Sequence, residues 1–232
     1  MKKTFLVLTT ILGFGYTSSA LAADFEENGI AYTVTSVEDK TVSVAAGVSY
    51  SGNVSIPKTV ENDGNAVYEY PMRYTVTGVD ESAFKGTAVE NVKLPSTVVS
   101  IGASAFEGCA QLKSISLPSN LATLADNAFD QCTSLESVSI PGSVDVIGNY
   151  AFRNCQSLSK VVLGEGITGI ATSAFYSCSS LTSVRLPETL TSVGQTAFAE
   201  CSSLKSVNIP SNVEIVNNSA FYVLYLETHK TS

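Results

Sequence analysis

The chain has 232 residues, 13 of them basic and 21 acidic, for a net charge of −8. An acidic chain without a basic tract is a poor nucleic-acid binder, and beyond the N-terminus no apolar run approaches the roughly 18 residues of a membrane-spanning helix. Hydrophobic residues make up 44 %, enough for a packed fold, and with no tryptophan the aromatic packing falls to ten Phe and ten Tyr.

Residues 1–22 have the form of a secretory signal peptide: Lys2 and Lys3, a short apolar run from Phe5 to Phe14, and the small-x-small site Ala20-Leu21-Ala22. The run is short for a membrane anchor, and no cysteine stands near the cleavage site to carry a lipid. The expectation is an exported protein, secreted or held at the cell surface, whose mature chain keeps 11 basic and 21 acidic residues.

Residues 23–73 do not fit the pattern that follows and are expected to cap it. Ile30 to Val37 and Thr41 to Val44 alternate around Glu38-Asp39-Lys40, which predicts a β-hairpin. Val54, Ile56, Pro57 and Val60 make half a repeat, interrupted by the stretch Glu61-Asn62-Asp63-Gly64-Asn65. That acidic stretch invites a calcium-loop reading, but Asp-Gly between strand-like segments is more often a hairpin turn, so no metal is expected.

Residues 74–221 are built from copies of one unit, of which Ala103 to Ala125, ASAFEGCAQLKSISLPSNLATLA, is the clearest. Its Ala-Phe pair recurs at Phe84, Phe106, Phe129, Phe152, Phe175, Phe198 and Phe221, first after 22 residues and then every 23. Cysteine follows at Cys109, Cys132, Cys155, Cys178 and Cys201, and leucine at Leu112, Leu135, Leu158, Leu181 and Leu204. An Ile or Val row (Ile115, Val138, Val161, Val184, Val207) and a Leu or Ile row (Leu117, Ile140, Leu163, Leu186, Ile209) come next. Proline closes the run at Pro95, Pro118, Pro141, Pro187 and Pro210, with Gly164 the exception. A fixed period in the twenties is the mark of a stacked solenoid, in which no repeat can bury its own apolar face.

The last part of LxxIxL alternates apolar and polar, predicting a strand with one buried face. Proline cannot donate to a ladder, so it ends the strand. Stacked at about 4.8 Å, these strands predict a parallel sheet along one face, with short turns or 3-10 segments opposite and little α-helix. At these residues the chain resembles the leucine-rich repeat proteins, and more narrowly the BspA-like class of bacterial surface and secreted proteins. The match runs from about residue 74 to 221 and departs at Gly164, at Thr87 in the first cysteine slot and at Leu224 in the last. It implies a leucine-rich-repeat solenoid with a half-repeat cap and a role in adhesion to host proteins or other cells.

Residues 222–232 begin with Tyr222-Val223-Leu224-Tyr225-Leu226. They read either as a closing segment that packs Leu224 into the cysteine slot or as an open apolar end that pairs with another copy or a partner. Apart from such end-to-end association, a monomer is expected.

Chemistry is sparse. Five cysteines, each in the same slot, point their Cβ atoms in parallel and predict a buried ladder of reduced thiols, behaving as small hydrophobes, in place of disulfides. There is no C-x-x-C for zinc, and the single histidine, His229, is the fourth residue from the end of the sequence, a poor place for a catalytic base. No glycine loop cradles phosphate, and a solenoid offers no obvious deep cleft for paired carboxylates. Neither enzyme activity nor a cofactor is expected.

The exposed face of the sheet remains. Its outward rows are Asn91, Ser114, Ser137, Lys160, Ser183, Ser206 and Lys93, Ser116, Ser139, Val162, Arg185, Asn208, with Glu90, Lys113, Glu136, Ser159, Thr182, Lys205 at strand entry. Of seven basic residues between Phe84 and Phe221, five lie in these rows, against two of ten acids. The candidate ligand face is therefore Lys93, Lys113, Lys160, Arg185 and Lys205 with Ser116, Ser139 and Asn208, a basic, hydroxyl-rich strip fit for a protein partner. A scaffold of the cell surface and a glycan-binding module are the alternatives; the rows hold no aromatic platform for sugar.

Overall fold

In the computed structural model, which describes residues 23–62 and 71–222, each Ala-Phe repeat forms one turn of a β-solenoid. The first turns are irregular. Strands β1 (Phe25–Glu27) and β2 (Ile30–Ser36) pair antiparallel across Asn28-Gly29, both at positive φ, and β2 pairs antiparallel with β3 (Thr41–Val44). β4 (Ser51–Ser55) instead pairs in parallel with a strand of the first repeat, Ala88–Lys93, and β5 (Thr59–Asn62) lies antiparallel to β6 (Met72–Val79), which also pairs in parallel with β3. Beyond β6 every pairing is parallel, each strand with its counterpart one repeat away.

Each repeat but the last contributes a longer strand, namely β7 (Ala88–Lys93), β9 (Ser114–Ser116), β11 (Ser137–Ile140), β13 (Lys160–Leu163) and β15 (Ser183–Arg185). After the closing turn comes a two-residue strand: β8 (Ser100–Ile101), β10 (Thr123–Leu124), β12 (Val146–Ile147), β14 (Gly169–Ile170), β16 (Ser192–Val193) and β17 (Ile215–Val216). The longer strands make the predicted face sheet, but as two three-stranded parallel segments, β4-β7-β9 and β11-β13-β15. The segments meet where the Glu136 amide donates to the Lys113 carbonyl at 3.2 Å. The two-residue strands continue the cap strands into a second, eleven-stranded sheet that the sequence reading did not contain.

A third ladder runs through the Ala-Phe turns. In the central repeat Tyr150 and Asn154, two residues either side of Phe152, have φ of 58° and 60°. Left-handed residues at these two points bring the amides of residues 150, 152 and 154 to one side, where they donate to the carbonyls of Thr172, Ala174 and Tyr176 at 3.0, 2.7 and 2.8 Å. The same pair of left-handed residues brackets Phe106, Phe129, Phe175 and Phe198, with glycine only at Gly108. The alternate amides, of Ala151, Arg153 and Cys155, bond within the turn to the carbonyls of Gly148, Tyr150 and Phe152, so bonds between and within turns together satisfy the buried chain.

The core fills the tube between these ladders. Phe84 through Phe221 form one column of near-parallel rings with centroids 4.8–5.3 Å apart and interplanar angles of 2–7°. Tyr50 of the cap extends the column, 4.4 Å from Phe84. The Cys, Leu and Ile or Val rows lie beside it and are buried, except Val207 in the last repeat, which is only partly so. The loss of proline at Gly164 has a steric reason: a Cβ there would meet the Gly142 nitrogen at 2.3 Å, and one on Gly142 the Glu165 carbonyl oxygen at 1.7 Å. Two closing turns approach backbone to backbone, and only glycine fits.

Candidate functional site

Alternation along each longer strand decides what reaches solvent. In β13 the odd positions Val161 and Leu163 are buried, and Lys160 and Val162 point outward. All eight residues proposed from the sequence are exposed: Lys93, Lys113, Lys160, Arg185, Lys205, Ser116, Ser139 and Asn208. The pairings set them in rows, Ser137 beside Lys160 beside Ser183, and Ser139 beside Val162 beside Arg185. In the other segment Asn53, Asn91 and Ser114 share a row, as do Ser55, Lys93 and Ser116.

Two of the eight differ from the expectation. Lys205 and Asn208 lie in a segment, residues 205–208, that forms no strand, so the face sheet ends at β15. Ile209 shows why: it is 44 % exposed, whereas Ile140, Leu163 and Leu186 in the same slot are 0–8 % exposed. An interior strand is held from both sides, and among the described residues no further turn packs on this one.

The charges of the face are not all idle. Lys113 reaches Glu90 at 3.0 Å, and Arg185 reaches Glu165 at 3.8 Å, with both side chains of the latter pair largely exposed. Glu165 in the closing turn is therefore an electrostatic neighbour of the face and not a remote charge. Among the described residues, no hydrogen bond or ion pair engages the side chains of Lys93, Lys160, Lys205, Ser116, Ser139 or Asn208. In the first segment Asn91 donates to Asn53 at 2.7 Å and accepts from Ser114 at 2.6 Å. Over these strands lies a shallow depression of about 330 Å³, bordered by Asn53, Ser55, Asn91, Lys93, Ser114 and Ser116.

The opposite, Ala-Phe side carries charges locked into structure. The residue after Phe runs Lys85, Glu107, Asp130, Arg153 through the first four of the seven copies. Lys85 pairs with Glu107 at 3.0 Å, and Arg153 holds the buried Asp130 through two bonds while stacking over the Tyr150 ring. A hydrogen bond from Ser104, with Lys85 beside it, holds the Glu107 carboxyl below its ordinary value, and the Asp130 bond pushes Arg153 up. Sequence reasoning missed this row; reading the slot after Phe as a column would have shown two charged pairs of opposite sign.

The cysteines form the expected buried, unbridged column, but they are more than small hydrophobes. Each Sγ donates to the carbonyl of the Phe one repeat back, Cys109 to Phe84 at 2.9 Å and Cys132, Cys155, Cys178 and Cys201 to Phe106, Phe129, Phe152 and Phe175 at 3.1–3.2 Å. Thr87 takes the first slot and bonds the Phe84 carbonyl with its hydroxyl at 2.7 Å. Burial pushes the thiols of Cys132, Cys155 and Cys178 well up, away from the nucleophilic thiolate. Among the described residues no three of His, Cys, Asp or Glu gather as a metal-binding group, and no helix is long and apolar enough to cross a membrane. The signal segment 1–22, the acidic stretch from Asp63, the residues Val223 to Leu226 and His229 lie outside the described residues.

Among proteins of curated function there is no match. The family model of the BspA type leucine rich repeat region matches residues 77–179 and 125–232, in six copies. A leucine-rich repeat protein from Bacteroides ovatus is 32 % identical with a TM-score of 0.73, over 85 % of this chain and 50 % of that one, so the chain spans half its length. The T. pallidum Leucine Rich Repeat protein is 30 % identical with a TM-score of 0.73, over 89 % of this chain and 94 % of that one. A leucine rich cell surface protein from Faecalibacterium prausnitzii shares the fold at 23 % identity and a TM-score of 0.61, over 85 % of this chain and 56 % of that one. The repeat spacing, the stacked Phe and Cys columns and these matches have one source: the chain belongs to the BspA-type leucine-rich repeat family.

Proposed function

We propose that this is an exported, non-catalytic binding protein that holds a protein partner on the outward face of its longer strands. The observation that carries the reading is the segregation of charge: the face offers Lys93 and Lys160 without partners among the described residues, while the charges of the Ala-Phe side at Asp130 and Arg153 are tied to each other. Unpaired side chains on a rigid sheet cost little reorganisation on binding, which favours the face over the turns as a recognition surface. Export rests on residues 1–22, and adhesion to host or neighbouring-cell macromolecules is the role that fits an exported module of this family. The test is capture of the protein on panels of extracellular proteins and of polysaccharides, followed by surface plasmon resonance on what binds. Saturable binding to a protein, weakened by charge reversal at Lys93 and Lys160, supports the reading. Binding confined to polysaccharide, or indifferent to those residues, overturns it.

A further inference from the structure

The two segments of the face are not equivalent. In β4-β7-β9 much of the polar surface is satisfied from within: Asn53, Asn91 and Ser114 bond along their row, and Lys113 is paired with Glu90. In β11-β13-β15 the side chains of Ser137, Ser139, Lys160 and Ser183 have no hydrogen bond or ion pair among the described residues, and Arg185 has only the long contact to Glu165. Val162, 45 % exposed, sits among them as the one apolar residue in the outward rows. Its neighbours are fixed by register, Arg185 directly across on β15 and Lys160 two residues back on β13.

We infer that the second segment is the recognition patch of the binding face, and that it takes an extended, acidic segment of a partner protein with glutamates two residues apart. The inference rests on the proposed binding function and narrows it to a place and a chemistry. Lys160 and Arg185 lie on a diagonal between adjacent strands, which separates their Cβ atoms by about 7–8 Å. Alternate side chains of an extended chain repeat at about 6.6–7 Å on one side, so carboxylates at positions i and i+2 meet the two cations together. Glutamate suits the site better than aspartate, because its methylenes and the stems of Lys160 and Arg185 can lie against Val162. The hydroxyls of Ser137, Ser139 and Ser183 border the diagonal and can bond the carbonyls and amides of the incoming backbone. A partner carboxylate also displaces Glu165 from Arg185 at small cost, since that pair is exposed.

Two synthetic peptides of one composition test this, Ser-Gly-flanked chains carrying two glutamates either two or four residues apart, titrated into the full chain and followed through its amide resonances. The expected result is shifts confined to β11, β13 and β15, with the two-apart peptide bound about fivefold more tightly, the worth of one exposed ion pair. Lys160→Glu with Arg185→Glu should abolish the difference without changing the melting temperature, and Val162→Ser should weaken both peptides alike. Equal binding of the two spacings, or indifference to the double reversal, overturns the inference. Shifts centred on β4, β7 and β9 overturn the choice of patch and leave the sheet face as the binding surface. Shifts on the Ala-Phe side overturn both.

Discussion

Removing one ring from the phenylalanine column is the sharpest test of how the stack is held. Phe152 is fully buried, with its ring 5.1 Å from Phe129 and 5.3 Å from Phe175 and nearly parallel to both. Phe152→Ala removes a buried aromatic side chain and leaves a cavity whose walls are backbone ladders on either side, which cannot close without breaking hydrogen bonds. The expected cost is about 3–5 kcal/mol, the upper part of that range reflecting two lost ring contacts. Phe221 provides the comparison, since it is only half-buried and among the described residues stacks on one side, against Phe198; Phe221→Ala should cost roughly half as much. Because each turn touches only its neighbours, the central variant should also split the unfolding transition and lower the apparent denaturant slope. Urea melts followed by far-ultraviolet circular dichroism measure both. Equal losses at the two positions, or a central loss below about 1 kcal/mol, would refute a continuous column as the main source of stability.

Other expectations follow from the same geometry. Alkylation of the native protein should label no cysteine and denaturation should expose five, whereas two or four that resist labelling without reductant would mean disulfides. Cys155→Ala should cost about 1–2 kcal/mol, well below Phe152→Ala, as it loses a small side chain and one thiol bond to a carbonyl that keeps its backbone partner. Burial raises the folded thiols above their unfolded value of about 8.5, so their contribution to stability is complete below that pH and falls as pH climbs from there toward the raised values; melts from pH 7 to pH 10 should show the decline, and Cys→Ala variants should blunt it. Gly142→Ala drives a Cβ into the Glu165 carbonyl and should destabilise by about 1–3 kcal/mol. Arg153→Ala strands the buried Asp130 carboxylate and should cost about 1–3 kcal/mol, less than a fully buried pair because Arg153 is partly exposed; Arg153→Ala combined with Asp130→Ala should recover part of the loss.

The 23-residue period made the interior legible, because a slot that returns at every turn must face the same way each time. Phe152, Cys155, Leu158, Val161 and Leu163 are all buried as their columns required. Alternation in SVSI and KVVL likewise marked the outward rows, including Lys160 and Arg185. The second sheet was not legible, since a two-residue strand such as Val146–Ile147 is too short to show a period of two. The left-handed residues were hidden for another reason. Only Gly86, Gly108, Asn127 and Asn154 signal that backbone, while Ser104, Tyr150, Thr196 and Glu200 adopt it because ladders on both sides impose it. Nor could the sequence divide the face, since the bonds that occupy Asn91 and Lys113 but leave Lys160 free depend on which side chain stands one strand away.

The claim that the sheet face is where a partner sits is tested most directly by acetylation footprinting, with and without a captured partner, read by mass spectrometry. Lys93, Lys113, Lys160 and Lys205 lie on or beside the face, and Lys40, Lys58 and Lys85 are exposed elsewhere. The account predicts that the partner shields Lys160 most strongly and Lys93 and Lys113 less, with Lys40, Lys58 and Lys85 labelled as in the free protein. Shielding of Lys85 with Lys160 left open would place the partner on the Ala-Phe side and contradict it.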